Sequence, residues 1–194
     1  MALDTRAWAR VAFEKGPIEG DSAAHLDRSQ IQAGLEQAQD SFVQRWGLLE
    51  AIVVRSPDGR RIQPVSTEVS IEGGLAGDRW VTGKATPGNQ LSMMNLDVAA
   101  VIAGGQSIAL FGDNLFTRLD LRESMLPVGT KLRVGEAVMV VSDMPHVPCD
   151  RFLARFGEAA FKAAAQEPRL RGIYLTVLEG GTIALGDPVA PLQV

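Results

Sequence analysis

The sequence predicts a mainly β protein with peripheral helices, and three observations support this fold class. From residue 48 onward, short β-like runs follow one another closely, among them NQLSMMN, KLRVGEAVMVVSD and YLTVLEGGTIALGDPV. Glycine-rich turn sequences separate these runs, and helical patterns occupy several of the gaps between them. Strands this short and this closely spaced indicate a barrel or a sandwich rather than a parallel α/β sheet.

Two pairs of runs have the pattern of β-hairpins. LLEAIVVRS and IQPVSTEVSI flank a turn sequence at residues 57–59, Pro-Asp-Gly. The run that begins at Tyr174 turns back at Gly180-Gly181, and residues 186–187 predict the next turn.

Helical patterns lie between the strands. We expect one helix at residues 97–103 and a short one at residues 121–126. A pair of helices is expected at residues 149–156 and 158–165, and Gly157 separates the two.

Residues 1–47 differ from the rest of the chain in the spacing of their apolar residues. Apolar residues recur there at spacings of three to four: Ile31, Leu35, Ala38, Phe42 and Trp46. Ser29 suits the N-cap of this helix and Gly47 suits its end. We expect residues 1–47 to form a helical extension that packs on a barrel domain of residues 48–194. An arm that binds a partner is the alternative.

The composition excludes several classes of protein. The content of hydrophobic residues, 46%, is ordinary for a globular chain, and 194 residues suffice to bury a core. A net charge of −4 argues against a general affinity for nucleic acid. One cysteine cannot form an intramolecular disulfide, and no apolar run is long enough for a membrane span. We therefore expect a cytoplasmic protein that binds neither nucleic acid nor membranes.

The single cysteine, Cys149, has two interpretations. Pro148 suits the first position of a helix, which would place Cys149 in the first turn. Free N–H groups and the helix dipole favour a thiolate there, which is the basis for a nucleophile or a metal ligand. A helical projection instead puts Cys149 on the apolar side with Phe152 and Phe156, where it would fill a core.

Three basic residues lie close to Cys149 in the sequence. Arg151 and Arg155 project to the opposite face of the helix, so we expect neither to activate the thiol directly. His146 lies upstream of the helix and approaches the thiol only from the loop, as a base or co-ligand. A loop histidine without a role is the alternative.

Three further segments carry candidate binding residues. EGGLAGDRWVTGK, residues 72–84, forms an ordered loop whose backbone can approach a ligand, with charge from Arg79 and Lys84. LFGDNLFTRLDL places Asp113 in a tight turn, where its side chain would bond the backbone, beside Asn114, whose amide is available to a ligand. In PRLRGIY, Arg169 and Arg171 would share one face of an entering strand and suit phosphate or carboxylate. Structural turns and solvated charged edges are the alternatives.

Taken in order, these segments resemble the MOSC domain, the family named for the C-terminal domain of molybdenum cofactor sulfurase. The matching stretches are GLAGDRW, NQLSMMN, LFGDNL, LPVGTKLRVGEAVMVVS, PHVPCDRFLARFG and RGIYLTVLEGGTIALGDPV. They extend from about residue 48 to residue 189. The N-terminal helix lies outside them and is similar to the extension of some small stand-alone bacterial members.

The resemblance implies a closed β-barrel of the MOSC type, similar to the barrel of pyruvate kinase. It also implies binding of the molybdenum cofactor, a pyranopterin, with Cys149 as a sulfur carrier or a molybdenum ligand. An association with pyridoxal phosphate binding exists at the level of the family only. Relatives often carry His where this chain has Trp80, and an indole ring can stack on a pterin but cannot ligate a metal.

The expected cofactor also predicts the composition of its site. A pterin cofactor carries a phosphate and a dithiolene, so it requires cations and, where the protein ligates the metal, a soft donor. The candidate residues are Cys149 as metal ligand, His146 beside it, and the cofactor-binding set of Asp78, Arg79, Trp80, Lys84, Asn114, Arg169 and Arg171.

The sequence is compatible with three functions. The chain binds the cofactor or carries sulfur as a persulfide on Cys149, which would require a cysteine desulfurase as donor. It is a molybdenum-dependent reductase of N-hydroxylated compounds, which would require a separate electron-transfer protein because the chain lacks a ferredoxin-like cysteine set. Or it is a non-catalytic module that binds an anionic cofactor, with Cys149 as core filler.

Overall fold

The computed structural model describes residues 20–39, 42, 46–83 and 86–192, so that Lys84 lies outside the described residues. The helices are α1 (Arg28–Gln39), α2 (Leu96–Ala103) and α3 (Asp150–Gln166). The strands are β1 (Gly47–Ile52), β2 (Val54–Arg55), β3 (Arg61–Ile62), β4 (Ser66–Ser70), β5 (Gly74–Leu75), β6 (Leu91–Asn95), β7 (Leu115–Thr117), β8 (Lys131–Val134), β9 (Ala137–Val141), β10 (Ile173–Glu179), β11 (Gly181–Ala184) and β12 (Pro188–Pro191).

A closed barrel is the centre of the fold. Within the described residues, seven strands close it in the order β1-β12-β8-β9-β10-β6-β7. Neighbouring strands run antiparallel except β6 and β7, which are parallel, and α2 lies in the connection between these two. Parallel neighbours need such a crossover. The mainly β fold with peripheral helices and the closed barrel are therefore confirmed.

The barrel wall separates two apolar cores. Leu49, Ile52 and Val54 belong to the core inside the barrel, whereas Ala51 and Val53 belong to the core under the helices. Successive residues of a strand face opposite sides, so Leu49 and Ala51, two positions apart, would share a side in a regular strand. A register shift between these two residues, where β1 pairs with β7, reverses the alternation. One strand thus serves both cores.

The predicted hairpins are largely wrong. Only the tip of the first hairpin pairs, with Val54 opposite Ile62, whereas β4 pairs with β11 and β5 in a separate sheet. The second predicted hairpin, β10 with β11, does not form, because β10 pairs inside the barrel and β11 pairs with β4. Local periodicity locates a strand, but the choice of partner depends on contacts distant in sequence.

The helix predictions fare better. A helix does span 96–103, and Gly157, with φ 82° and ψ 174°, interrupts α3 where the pair of helices was predicted to separate. The short helix expected at 121–126 is instead a turn, in which the carbonyl of Arg122 accepts from the N–H groups of Met125 and Leu126 at 2.9 Å.

The helix of the N-terminal segment begins earlier than predicted. Asp27, not Ser29, caps α1, because its carboxylate accepts from the Gln30 N–H while the Gln30 side chain accepts from the Asp27 N–H, both at 2.9 Å. Gly47 opens β1 and ends no helix, and Trp46 is 53% exposed rather than part of an apolar stripe. α1 packs on α2 and α3 through Ile31.

No helix in the described part of the chain is both long enough and apolar enough to cross a membrane.

Candidate functional site

A basic pocket of about 550 Å³ opens beside the start of α3. It is lined by Arg55, Pro57, Arg79, Trp80, Thr82, Gly83, Asn89, Arg151 and Tyr174. Three of these residues are arginines, and no acidic side chain is among the described residues of the lining. The glycine-rich loop and the segment after Cys149 therefore meet at one cavity, whereas Arg169 and Arg171 are not part of its lining.

The inner wall of the basic pocket is a buried ion pair. The Asp78 carboxylate accepts two hydrogen bonds from the Arg55 guanidinium, at 2.8 and 2.9 Å, and one from the Trp80 N–H at 2.9 Å. Burial raises the pKa of Asp78, but the hydrogen bonds and charge of Arg55 outweigh burial and hold that pKa below its ordinary value. Asp78 thus holds the pocket wall in place, and its own side chain is buried.

Asn114 supports this ion pair from behind. Its Nδ2 donates to Asp78 at 2.9 Å and to the carbonyl of Val53 at 3.1 Å, and its Oδ1 accepts from the Ser92 N–H at 3.1 Å. These bonds use both amide donors, and the side chain is fully buried. The amide that the sequence offered to a ligand is therefore engaged by the protein.

Two arginines of the pocket have no partner among the described residues. Neither Arg79 nor Arg151 donates a side-chain hydrogen bond or forms an ion pair within the part of the chain that the structure describes. Burial lowers the pKa of Arg79, and the positive charges of Arg55 and Arg151 lower it further. Cations that lower one another's pKa in this way are stabilised by a bound anion.

Two aromatic residues complete the pocket. The Trp80 indole N–H donates to Asn89 Oδ1 at 2.9 Å, which fixes the ring against the wall. Tyr174 lies on β10, and its ring packs against His146 with centroids 4.1 Å apart and ring planes tilted by 32°. Flat rings held by neighbours provide a surface on which a planar ligand can stack.

Cys149 is exposed, so the interpretation as core filler is wrong. It is the N-cap of α3, with extended backbone at φ −117° and ψ 175°, and not a residue of the first turn as predicted. The helical projection therefore does not apply to it. The Arg155 guanidinium donates to the carbonyl of Leu110 at 2.6 Å.

His146 lies in a buried position rather than on a free loop. Its side chain is 6% exposed, and its Nδ1 is 3.6 Å from Asp113 Oδ1, a separation too long for a hydrogen bond. Burial lowers the pKa of His146 to about 3, and the nearby charge of Arg171 acts in the same direction. The imidazole is therefore neutral at pH 7.

Arg171 and Asp113 form a second buried ion pair. The Arg171 guanidinium donates to the Asp113 carboxylate and, at 3.2 Å, to the carbonyl of Phe111. It lies 5.7 Å from the Phe111 ring centroid and 5.3 Å from that of Phe152. Asp113 therefore pairs with a distant arginine, and the predicted bond from its side chain to the turn backbone is wrong.

Arg169 is separated from Arg171, contrary to the prediction. Residues 168–171 form a turn in which Arg169 has φ 63°, so the alternation of an extended strand does not apply. The Arg169 guanidinium donates to the carbonyls of Leu121 and Leu126. It lines a different cavity from the basic pocket.

Sequence reasoning missed several residues of the pocket, among them Arg55, Arg151 and Tyr174. Arg55 ends a β-like run just before the turn at residues 57–59, and this position is the sign of it that the sequence offers. The helical projection excludes Arg151 from the site only because it treats Cys149 as a residue inside the helix. Tyr174 reaches the pocket through strand pairing that no local pattern indicates.

The donor set limits how a metal could be held. Among the described residues, no group of three or more His, Cys, Asp or Glu side chains could hold a metal ion. Cys149 supplies one soft donor beside a cationic pocket. This set does not suit a bare metal ion, but it fits a metal that is carried within an anionic organic cofactor.

Comparison with known proteins gives two kinds of match. A family model for the MOSC domain matches residues 88–190, more than half of the chain. The crystal structure of the YuaD protein from Bacillus subtilis is 16% identical, with a TM-score of 0.58, and the match covers 76% of this chain and 97% of that one. No curated protein sequence matches the chain.

Two other solved structures are similar. A hypothetical protein of known crystal structure is 20% identical, with a TM-score of 0.54 and coverage of 81% of this chain and 71% of that one. YiiM from Escherichia coli is 22% identical, with a TM-score of 0.49 and coverage of 74% and 70%. At these identities, YuaD and the hypothetical protein support the fold alone.

Proposed function

Because the chain belongs to the MOSC domain family, which is linked to molybdenum cofactor binding, we propose that it binds this cofactor in the basic pocket. Cys149 then acts beside the pocket as a sulfur carrier or as a ligand to the metal. The observation that carries the proposal is an exposed thiol two residues before Arg151, which lines the pocket and, like Arg79, has no acidic partner among the described residues.

The chemistry of the pocket matches the two ends of a pterin cofactor. Arg79 and Arg151 suit its phosphate, because guanidinium groups bind phosphate oxygens through paired N–H donors. Trp80 provides a fixed flat surface for the pterin ring system. Arg55 is held by Asp78, so it adds positive charge at a constant position.

Cys149 contributes the soft donor that the rest of the pocket lacks. When bound, the cofactor would supply a metal centre with sulfur ligands. The exposed N-cap position leaves the Cys149 side chain free of any capping hydrogen bond. The thiol is therefore available to a metal or to a sulfur donor without the loss of a capping hydrogen bond.

The test is cofactor analysis of protein purified from a host that makes the cofactor. We expect close to one molybdenum and one pterin per chain, measured by elemental analysis and by fluorescence of the oxidised pterin. Arg79→Gln combined with Arg151→Gln should remove most of the pterin. Arg60→Gln is the control, because Arg60 is exposed and pairs with Asp58 outside the pocket. Wild-type protein without molybdenum and pterin would overturn the proposal.

Cys149→Ser distinguishes ligand from carrier. If Cys149 ligates the metal, X-ray absorption of the loaded variant should show one sulfur ligand fewer on molybdenum than in the wild type. If Cys149 carries sulfur, the sulfur ligands of molybdenum should be unchanged in the variant, and wild-type protein incubated with a cysteine desulfurase and cysteine should gain one sulfur atom on Cys149 by mass spectrometry. Failure of wild-type protein to gain sulfur would exclude the carrier role.

A second candidate function is molybdenum-dependent reduction of N-hydroxylated compounds. It is favoured by the presence of another cavity that adjoins Tyr174 and can hold a substrate apart from the cofactor. Electrons would come from a separate protein. If reduced protein that carries the cofactor does not turn over such compounds, the reductase function is excluded and cofactor binding remains as the only function of the two.

A further inference from the structure

Arg61 is a buried arginine that lacks an acidic partner among the described residues. It is 5% exposed, and the hydrogen bond that its guanidinium makes there runs from Nη1 to the carbonyl of Gly59, at 3.2 Å. Its Nε is buried and has no hydrogen-bond partner. The edge of a guanidinium formed by Nε and Nη2 is the one that binds two oxygens of an anion. In Arg61 this edge, here called the unpaired edge, has no such acceptor in the part of the chain that the structure describes.

The pairing of β2 with β3 places two arginines side by side. Arg55 lies directly opposite Arg61 in this antiparallel pair, and like charges in that arrangement destabilise the pairing of strands. Asp78 neutralises Arg55 but makes no hydrogen bond to Arg61. Both oxygens of the Asp78 carboxylate already accept hydrogen bonds, from Arg55, Trp80 and Asn114.

The charges around Arg61 are mainly positive. Burial, together with the charges of Arg79, Arg155 and Arg55, lowers the pKa of Arg61 to about 10, while Asp78 opposes the shift. The guanidinium is therefore still protonated at pH 7. A buried cation among other cations gains more from a bound anion than an exposed cation does, because screening by water is weaker there.

Gly112 leaves space in front of the unpaired edge. The position that a Cβ of Gly112 would take is 3.5 Å from Nη2 and 4.0 Å from Nε of Arg61, and 3.9 Å from Cδ of Arg55. These are the nearest heavy atoms outside residues 111–113. An atom at this position therefore meets both nitrogens of the unpaired edge and collides with no side chain beyond its chain neighbours.

We propose that Arg61 and Gly112 form a second anion site, which binds a small oxyanion such as sulfate. Two oxygens of the anion accept hydrogen bonds from Nε and Nη2 of Arg61, and the positive charge of Arg79 adds to the affinity. The anion offsets the repulsion between Arg55 and Arg61 and so stabilises the strand pair that carries Arg55. Arg61 is not among the residues that line the basic pocket, and the inference does not rest on what that pocket binds.

The side-chain Nε–H resonance of Arg61 measures binding directly in protein labelled with ¹⁵N-arginine. Sodium sulfate should shift this resonance until it saturates, whereas sodium chloride at equal ionic strength should not, because a single spherical ion offers no pair of oxygens to the unpaired edge. Arg61→Lys identifies the resonance by its disappearance. The Nε–H of Arg60, an exposed residue that pairs with Asp58, is the internal control and should respond equally to both salts. An Arg61 resonance that sulfate leaves in place, or that chloride shifts equally, would overturn the proposal.

Three variants test the location of the anion. Gly112→Ala puts a methyl group in front of the unpaired edge and should weaken sulfate about tenfold, although Arg61 remains. Gly129→Ala, also at positive φ but with open space around it, is the matched control and should not change the affinity. Arg151→Gln removes a cation of the basic pocket and should weaken sulfate at Arg61 by no more than about threefold. A loss as large as that of Gly112→Ala would show that the sulfate lies in the basic pocket instead.

Thermal stability separates an anion site from a purely structural role of Arg61. In chloride, Arg61→Met removes a buried charge and its repulsion from Arg55, so the Tm should rise by about 2–4 °C. Sulfate stabilises folded proteins in general, so the comparison is between proteins. It should raise the Tm of the wild type and of Arg60→Met by more than that of Arg61→Met. A lower Tm of Arg61→Met in chloride, or an equal gain from sulfate in all three proteins, would contradict the proposal.

Discussion

The guanidinium of Arg55 binds the carboxylate of Asp78 through two parallel hydrogen bonds, and both side chains are largely shielded from water. Bidentate pairing of this kind is geometrically specific, and it leaves each buried charge dependent on the other. The wall of the basic pocket is thus set by one contact between the strand end at Arg55 and the glycine-rich loop.

Asp78→Ala tests this contact. The substitution leaves Arg55 partly buried without its partner and removes the acceptor for the Trp80 N–H, so the free energy of unfolding should fall by about 3–5 kcal/mol. Urea denaturation measures this change. Asp58→Ala removes the exposed partner of Arg60 and should leave the free energy nearly unchanged. Equal losses in the two variants would contradict a special role for the buried pair.

The accessibility of Cys149 predicts its reactivity. Because the side chain is exposed and makes no capping hydrogen bond, native protein should react with one equivalent of a thiol reagent. The rate should be within about tenfold of that of the urea-unfolded chain. Absorbance of the released thiolate follows the reaction. Modification that occurs only after unfolding would show that the thiol is covered.

Asn89 should control the position of the Trp80 ring. Asn89→Ala removes the acceptor of the indole N–H, so the ring gains freedom and the affinity for a stacking ligand should fall several-fold. The quenching of tryptophan fluorescence on titration with a pterin reports the affinity. Trp80→Phe identifies the part of the signal that comes from this ring. An unchanged affinity in Asn89→Ala would show that the hydrogen bond does not prepare the pocket.

Acid should destabilise the protein through His146. Its pKa of about 3 in the folded chain lies below the ordinary value of 6.5, so between these values the unfolded state binds more protons. The free energy of unfolding should therefore fall as the pH drops below about 6.5, by up to about 1.4 kcal/mol per pH unit. Urea denaturation between pH 7 and pH 4.5 measures the slope, in a range where the perturbed carboxyl groups stay largely ionised.

His146→Gln is the comparison for this slope. The variant lacks the group that titrates, so its stability should vary less between pH 7 and pH 4.5 than that of the wild type. Equal slopes in the two proteins would assign the acid sensitivity to another group.

Gly157 should tolerate no side chain. Its φ of 82° and ψ of 174° lie in a region that is essentially restricted to glycine, and a Cβ there would be 2.8 Å from the His25 ring. Gly157→Ala should lower the free energy of unfolding by about 3 kcal/mol or more. Gly129→Ala, at φ 84° with open space around it, should cost about 1 kcal/mol.

A double variant separates strain from collision at this position. His25→Ala in the Gly157→Ala background removes the ring that the new methyl group meets, so part of the lost stability should return. No recovery would assign the whole loss to backbone strain.

What the sequence predicted correctly depends on local or collective patterns. The family and the mainly β barrel follow from the order of many segments, and the interruption at Gly157 follows from a single glycine between two apolar periodicities. The helical projection failed at Cys149 because Pro148 and Cys149 precede the first helical residue, Asp150. An angle of 100° per residue has no meaning for an N-cap with extended backbone.

The parts that the sequence did not predict depend on distant contacts. Arg171 is buried only because Asp113, 58 residues away, neutralises it. From the sequence alone, a charged residue is expected in solvent. Asn114 has the composition of a ligand-binding residue, yet its amide is engaged by β6, the segment after β1, and Asp78. Strand partners are equally non-local, which explains why both predicted hairpins were largely wrong.

The pairing of β1 with β12 has a consequence for the folding of the chain. Gly47 lies opposite Val189, so the first and last strands of the barrel are neighbours although about 140 residues separate them. A ring of strands cannot close before its last member exists, and loop-closure entropy makes such distant pairing slow. During synthesis, β1 therefore retains an unpaired edge until β12 has been made. A chaperone that shields that edge should raise the yield of native protein.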